Sequence, residues 1–214
     1  MHFVVVVLLF GTASGTVDYK GRATVKDVLD FFRIGQPIAL IRRSYSRYID
    51  EFEPRCIQTI VTKNENTSLW FNQSYIYGRK RVEETMIAHV LKKPGLDSAP
   101  VMIVERAKDS ENERLLRNGA KQSRNGHTHM FSRAPEHNNS IDYMSFRIYD
   151  FEYYDDREKC AVITFTEKLC YTKCELHVWL TGGSGVYHNC LLEYDYLCGH
   201  RKYYNLYNYH DCKF

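Results

Sequence analysis

The 214-residue sequence lacks the features that most quickly assign a chain to a class of protein. No apolar run reaches the ~20 residues that a membrane-spanning helix requires, so we expect no membrane partner. The hydrolase motif GxSxG, the zinc-protease motif HExxH and a phosphate-binding loop are absent, and no cysteine–histidine nucleophile pattern stands out. We therefore predict that the protein is not an enzyme and needs no cofactor.

Charge and cysteine spacing also exclude two other kinds of partner. The net charge is only +3, and there is no basic helix or aromatic–basic repeat, so we expect no nucleic acid. No CxxC pair is present. The CxxxC of Cys170 and Cys174 and the histidines of HTHMFSRAPEH are weak patterns for metal binding, and we expect no metal site.

The N-terminus has the pattern of a secretory signal peptide. An apolar run from Phe3 to Phe10 is followed by small residues with an Ala13-x-Gly15 pattern, although a buried strand or helix is the alternative. We expect residues 1–15 to be removed and residues 16–214 to be a secreted, extracellular domain. Three glycosylation sequons agree with export, at Asn66, Asn72 and Asn138. In an exported chain, the seven cysteines predict disulfides with one unpaired thiol.

Strand-like runs dominate the mature chain, in which aromatic residues reach 14%. Helical spacing predicts an N-terminal helix over 24–33 and a C-terminal helix over 189–199, with Asn189 as its N-cap and Gly199 as its end. Eight runs between them predict strands, at 37–45, 56–62, 68–77, 84–91, 99–105, 142–154, 159–165 and 174–180. Short polar turns join most of these strands, which favours an antiparallel meander closed into a barrel or folded as a sandwich.

One long segment interrupts the predicted strands. Residues 105–140 contain twelve charged residues and few large apolar ones. Such a composition does not bury enough apolar surface to offset the entropy of ordering the chain. We predict a mobile insertion here, with a short helix near 110–118.

The last predicted strand, CELHVWL, has an unusual alternation. Its two faces carry different sets of side chains: Leu176, Val178 and Leu180 on one, and Glu175, His177 and Trp179 on the other. In an eight-stranded barrel one face lines the interior, where a carboxylate needs a cation, a hydrogen bond or a proton. Glu175 is therefore a candidate ligand for an ammonium group. The alternatives are an internal ion pair with an arginine such as Arg147, or a neutral, water-bonded acid.

Taken together, these residues resemble tick salivary lipocalins of the histamine-binding type. The similar segments are Arg55-Cys56-Ile57, KCAVI (159–163), CELHVWL and the C-terminal run HNCLLEYDYLCGHRKYYNLYNYHDC (188–212). The resemblance implies an all-β fold, an eight-stranded antiparallel lipocalin barrel with an N-terminal and a C-terminal helix, linked by disulfides. It also implies the pairs Cys56–Cys212 and Cys160–Cys190, with Cys198 joined to Cys174 or Cys170.

The resemblance further implies that the barrel sequesters a small host mediator and so suppresses inflammatory defence. The leading ligand is a biogenic amine, histamine or serotonin. The candidate ligand-binding residues are Glu175, His177, Trp179, Glu83, Glu84, Asp50 and Tyr149. The sequence departs from the family at Ala161, where histamine binders carry an acid, and at His177, where a tryptophan is usual. Two complete amine sites are therefore not expected.

Two other functions stay open. A lipid mediator such as a leukotriene or fatty acid would need an interior Arg or Lys, and Arg42, Arg43, Arg47 and residues 79–81 are candidates. A host immune protein could instead bind through the loops, with residues 105–140 as the contact.

Overall fold

The computed structural model describes residues 22–95, 98–107, 146–166, 171–183, 185–199, 203–208 and 211–212. Within these ranges there are two helices, α1 (Val25–Phe31) and α2 (His188–Cys198). The strands are β1 (Pro37–Arg43), β2 (Arg55–Glu65), β3 (Ser68–Tyr77), β4 (Lys80–Leu91), β5 (Val101–Arg106), β6 (Phe146–Asp155), β7 (Cys160–Thr166), β8 (Thr172–Trp179) and β9 (Tyr204–Asn205). The predicted signal peptide, most of the predicted insertion 105–140, Asn138 and Cys170 lie outside the described residues.

The first eight strands form a closed antiparallel barrel. From β2 to β8 each strand pairs with the next along the chain, and β1 closes the ring by pairing with both β8 and β2. The two-residue strand β9 pairs with β1 at Arg42 and Arg43. The eight-stranded barrel predicted from the alternating runs is therefore confirmed, and the sandwich alternative is excluded.

Helix α1 covers one end of the barrel. It begins with a capping box, because the Thr24 hydroxyl accepts the Asp27 N–H at 3.3 Å and the Asp27 carboxylate accepts the Thr24 N–H at 2.7 Å. Val28 and Phe31 are fully buried on its inner face. The Trp179 indole N–H donates to the Phe31 carbonyl at 3.0 Å, which ties the end of the helix to β8. This end of the barrel is apolar and closed.

Helix α2 packs on the outer surface of the barrel, over β6, β7 and β8. It begins at His188, one residue before the predicted start, so Asn189 is not its N-cap. Instead, the Glu158 carboxylate accepts the Asn189 N–H at 2.9 Å, and the Asn189 side chain donates to Asp155 at 2.8 Å. The helix ends at Gly199, whose φ of 64° places it in the left-handed region that favours glycine.

Three disulfides hold the C-terminal part of the chain on the barrel. They join Cys56 to Cys212, Cys160 to Cys190 and Cys174 to Cys198. The first two are the pairs that the sequence resemblance implies. For Cys198 the resemblance left Cys174 and Cys170 as possible partners, and the structure pairs it with Cys174. Neither helix in the described ranges is long and apolar enough to cross a membrane.

Candidate ligand-binding site

Strand β8 directs its two faces into different cores. Leu176 and Val178 belong to the apolar cluster beneath α2, together with Tyr194 of that helix. Trp179 belongs to the other cluster, which fills the closed end of the barrel beside α1. Because side chains alternate along a strand, Glu175 and His177 point into the barrel on the same face as Trp179.

Glu175 is buried in the barrel, and each of its two carboxylate oxygens has a hydrogen-bond partner. The Tyr45 hydroxyl donates to its Oε1, and the Nε2 of His177 lies 2.9 Å from its Oε2. Burial alone would raise the pKa of this carboxyl, but the hydrogen bond and charge of His177, the Tyr45 hydrogen bond and the charge of Arg147 lower it to about 2. Of the three states weighed for Glu175, the geometry favours an ionised acid held by internal partners.

Aromatic rings surround this carboxylate, and cations of the protein itself lie over them. Tyr45 and Tyr149 each meet the ring of Phe165 edge-on, with centroids 5.2 Å apart. The Arg147 guanidinium lies 4.6 Å from the Phe165 centroid, and the Lys173 ammonium lies 5.1 Å from that of Tyr45. These five residues, with Glu175 and His177, form what we call the Glu175 cluster. Its ring faces are the positions that a ligand ammonium would use.

Tyr149, a predicted site residue, lies within this cluster. Its hydroxyl accepts a hydrogen bond from Nη1 of Arg147 at 3.2 Å. Burial, followed by the charge of Glu175, raises its pKa to about 12. Tyr149 is therefore a neutral phenol that can donate a hydrogen bond to a ligand.

Arg43 is a buried cation of the barrel interior next to the Glu175 cluster, with its guanidinium 5.2 Å from the ring centroid of Tyr45. It is directly opposite Glu175 in the pairing of β1 with β8, and only 1% of the residue is exposed. Its Nη2 donates to the Glu53 carboxylate at 2.8 Å and to the Arg47 carbonyl at 3.3 Å. Its Nε is also buried and has no hydrogen-bond partner in the described part of the chain.

The acids predicted on the fourth strand lie on opposite faces of it. Glu84 shares the inward face of Met86 and Ala88 and forms an ion pair with Arg106 at 3.2 Å. Glu83 is exposed on the outer face, where it accepts a hydrogen bond from Asn72 at 3.1 Å. Strand β4 lies across the barrel from β8, so Glu84 is on the wall opposite Glu175. The structure thus does not bring Glu83 to the interior.

Asp50 is also outside the interior. It is exposed in the loop between β1 and β2, where Asp50 and Glu51 both have positive φ, at 47° and 69°. Reciprocal backbone hydrogen bonds of 2.9 Å between Ile49 and Phe52 close this turn. The turn directs Asp50 away from the barrel, which the sequence did not indicate.

Four members of the Glu175 cluster were not predicted as ligand-binding residues: Tyr45, Phe165, Lys173 and Arg147, the last of which was named only as a possible ion-pair partner of Glu175. A signal for Phe165 was present, because Ala161, Ile163 and Phe165 alternate on the inward face of β7. Tyr45 is the last residue of the predicted strand 37–45, but it lies beyond the observed end of β1 at Arg43, and the alternation did not mark it as an interior residue.

An eight-stranded, up-and-down antiparallel barrel is the architecture of the lipocalin class. Among solved structures, the chain is similar to Japanin from Rhipicephalus appendiculatus, determined bound to cholesterol in an orthorhombic crystal form. The identity is 10% and the TM-score is 0.48, over 83% of this chain and 94% of that chain. No protein-family model matches the sequence, and no curated protein matches it.

Proposed function

We propose that the protein is a secreted salivary lipocalin that sequesters one small host mediator inside its barrel. The proposal rests mainly on one observation, the cluster of charged and aromatic side chains around the buried, ionised Glu175 in the barrel interior. A buried charged group is costly to maintain, and ionisable groups with perturbed pKa values concentrate at functional sites. The cluster would bind the polar head group of a ligand, and the apolar side chains nearer α1 would pack against its body. A signal peptide at 1–15 and a mature domain over 16–214 belong to the same proposal.

A biogenic amine is the first candidate ligand. Each carboxylate oxygen can accept more than one hydrogen bond, so Glu175 retains capacity for an ammonium group beside Tyr45 and His177. The rings of Tyr149 and Phe165 would contact an imidazole or indole. For this ligand to use the ring faces, the side chains of Arg147 and Lys173 must shift.

A lipid mediator with an acidic head group is the second candidate. It is favoured by two arginines at this end of the interior, the buried Arg43 and the half-buried Arg147, which offer positive charge to a carboxylate. The apolar residues nearer α1 suit a hydrocarbon chain. The two candidates require opposite charges at the head-group site, so a single set of variants separates them.

Titration calorimetry and native mass spectrometry with histamine, serotonin, a leukotriene and fatty acids test the proposal. One ligand should bind per chain. Glu175→Gln should weaken an amine roughly thirty- to several-thousand-fold, because a buried charge pair is lost. The same variant should leave an acidic lipid unchanged or bound more tightly. The exposed Glu83→Gln is the matched control. If no amine or lipid binds the wild-type protein, the proposed function is refuted.

A further inference from the structure

We propose that Arg43 binds the acidic head group of the ligand, and that Glu53 occupies this site as an internal competitor when no ligand is bound. The inference rests on the proposed function, since it presupposes that the barrel holds a small molecule. It adds the chemical class of the head group, a carboxylate, and the residue that limits its affinity.

The unsatisfied Nε of Arg43 is the observation that points to a missing acceptor. Nearly all buried polar hydrogens in proteins have a partner, and an unpaired one on a charged group is especially unfavourable. Arg43 faces the barrel interior because it is paired with Glu175, whose side chain lies there. A ligand oxygen in the interior would supply the acceptor that Nε lacks.

The geometry of the guanidinium explains why a ligand carboxylate would replace Glu53. Nε and Nη2 form one edge of the group, which can bind both oxygens of a carboxylate at once. Glu53 contacts this edge at Nη2 alone, at 2.8 Å, and leaves Nε unpaired. A ligand acid would therefore make two charge-assisted hydrogen bonds where Glu53 makes one.

Glu53 can leave Arg43 without breaking the barrel. Its side chain is 30% exposed, and it belongs to the loop between β1 and β2 and not to either strand. When Glu53 swings outward, its carboxylate returns to water, which lowers the cost of the exchange. Because Arg43 is only 1% exposed, a ligand reaches it through this movement.

The test compares oleate with oleyl alcohol, which has the same chain and no charge. Arg43→Gln should weaken oleate about tenfold to a hundredfold, as expected for a lost charge-assisted hydrogen bond, and should change the alcohol little. Glu53→Gln should tighten oleate about tenfold and leave the alcohol unchanged. The control is Glu51→Gln, an exposed acid of the same loop, which should change neither ligand.

The possible results separate the inference from the proposed function. The role of Arg43 is overturned if all variants bind oleate and oleyl alcohol equally well, or if the protein binds only histamine or serotonin. In either case the barrel is still a small-molecule binder. If none of oleate, oleyl alcohol, histamine, serotonin and a leukotriene binds, both the inference and the proposed function are overturned. If Arg43→Gln does not fold, the tenfold tighter binding of oleate expected for Glu53→Gln still tests the inference. If Glu53→Gln binds oleate no more tightly than the wild type, Glu53 is not a competitor of the ligand.

Discussion

Arg43 and Glu175 are directly opposite each other in the pairing of β1 with β8, yet their hydrogen bonds go to other residues. Arg43 donates to Glu53 and to the Arg47 carbonyl, whereas Glu175 accepts from Tyr45 and His177. Opposite charges at opposed positions of a sheet usually stabilise each other directly. Here each charge has its own counter-group, Glu53 for Arg43 and His177 for Glu175.

The first prediction concerns the acid stability of the fold. Folding lowers the pKa of Glu175 from 4.5 to about 2, so its contribution to stability is complete above pH 4.5 and is lost as the pH falls towards 2. Glu175→Gln should therefore flatten the dependence of the unfolding free energy on pH in this window. Urea denaturation from pH 2 to 6 measures it. Glu83→Gln, on the exposed outer face, should keep the wild-type slope, and equal slopes for both variants would contradict the prediction.

The second prediction concerns Tyr45, which follows β1 and reaches Glu175 with its hydroxyl. Tyr45→Phe keeps the ring contact with Phe165 but removes the hydrogen bond to a charged acceptor, so it should cost about 1.5–3 kcal/mol of unfolding free energy. Tyr48→Phe, at a residue 63% exposed, should cost almost nothing. In the Glu175→Gln background the cost of Tyr45→Phe should shrink. An undiminished cost would show that the hydroxyl acts through another partner.

Alternation alone fits a barrel or a sandwich, and the resemblance to lipocalins was needed to choose the barrel. The eight strands themselves were predictable because inward and outward side chains alternate along each run. The inward face of β8 was predictable for the same reason. The alternation could also have told the two acids of β4 apart. Glu84 is an even number of residues from Met86 and Ala88 and so shares their inward face, whereas Glu83 lies on the outer face.

Bulges explain why other interior residues could not be identified. The Ile38 side chain faces the barrel interior. Strict alternation along β1 would therefore place the side chain of Arg42 in the interior and that of Arg43 on the outer surface. The register of β1 against β8 shifts between Leu40 and Arg42, and this reverses the count. Arg42 consequently lies outside, 5.8 Å from the ring of Tyr194 in α2. No residue pattern in the sequence marks the position of the shift.

The third prediction concerns the disulfides. Peptide mapping without reduction should recover Cys56–Cys212, Cys160–Cys190 and Cys174–Cys198. Replacing both members of the last pair by serine should lower the unfolding free energy by about 2–5 kcal/mol, because it releases the end of α2 from β8. Cys170→Ser removes no bridge of this set and is the control. A peptide that joins Cys56 to Cys160 would contradict the arrangement.

The last prediction concerns glycosylation, which we propose at Asn66 and Asn72. Asn66 is exposed in the turn between β2 and β3, whereas Asn72 is half-buried on the outer face of β3. The Asn72 amide donates to Glu83 at 3.1 Å and accepts from Thr85 at 3.2 Å. Both side chains therefore point away from the barrel interior. Asn72 is hydrogen-bonded to neighbours on the sheet, whereas Asn66 is exposed in a turn.

Secreted protein from insect cells should carry a glycan at Asn66 in nearly every molecule and at Asn72 in fewer, because a glycan there displaces the contacts with Glu83 and Thr85. Intact mass before and after enzymatic deglycosylation of Asn66→Gln and Asn72→Gln measures each occupancy. Neither variant should change ligand affinity, since a sugar on the outer wall does not reach the interior. Higher occupancy at Asn72, or an affinity that depends on either glycan, would contradict this outward placement.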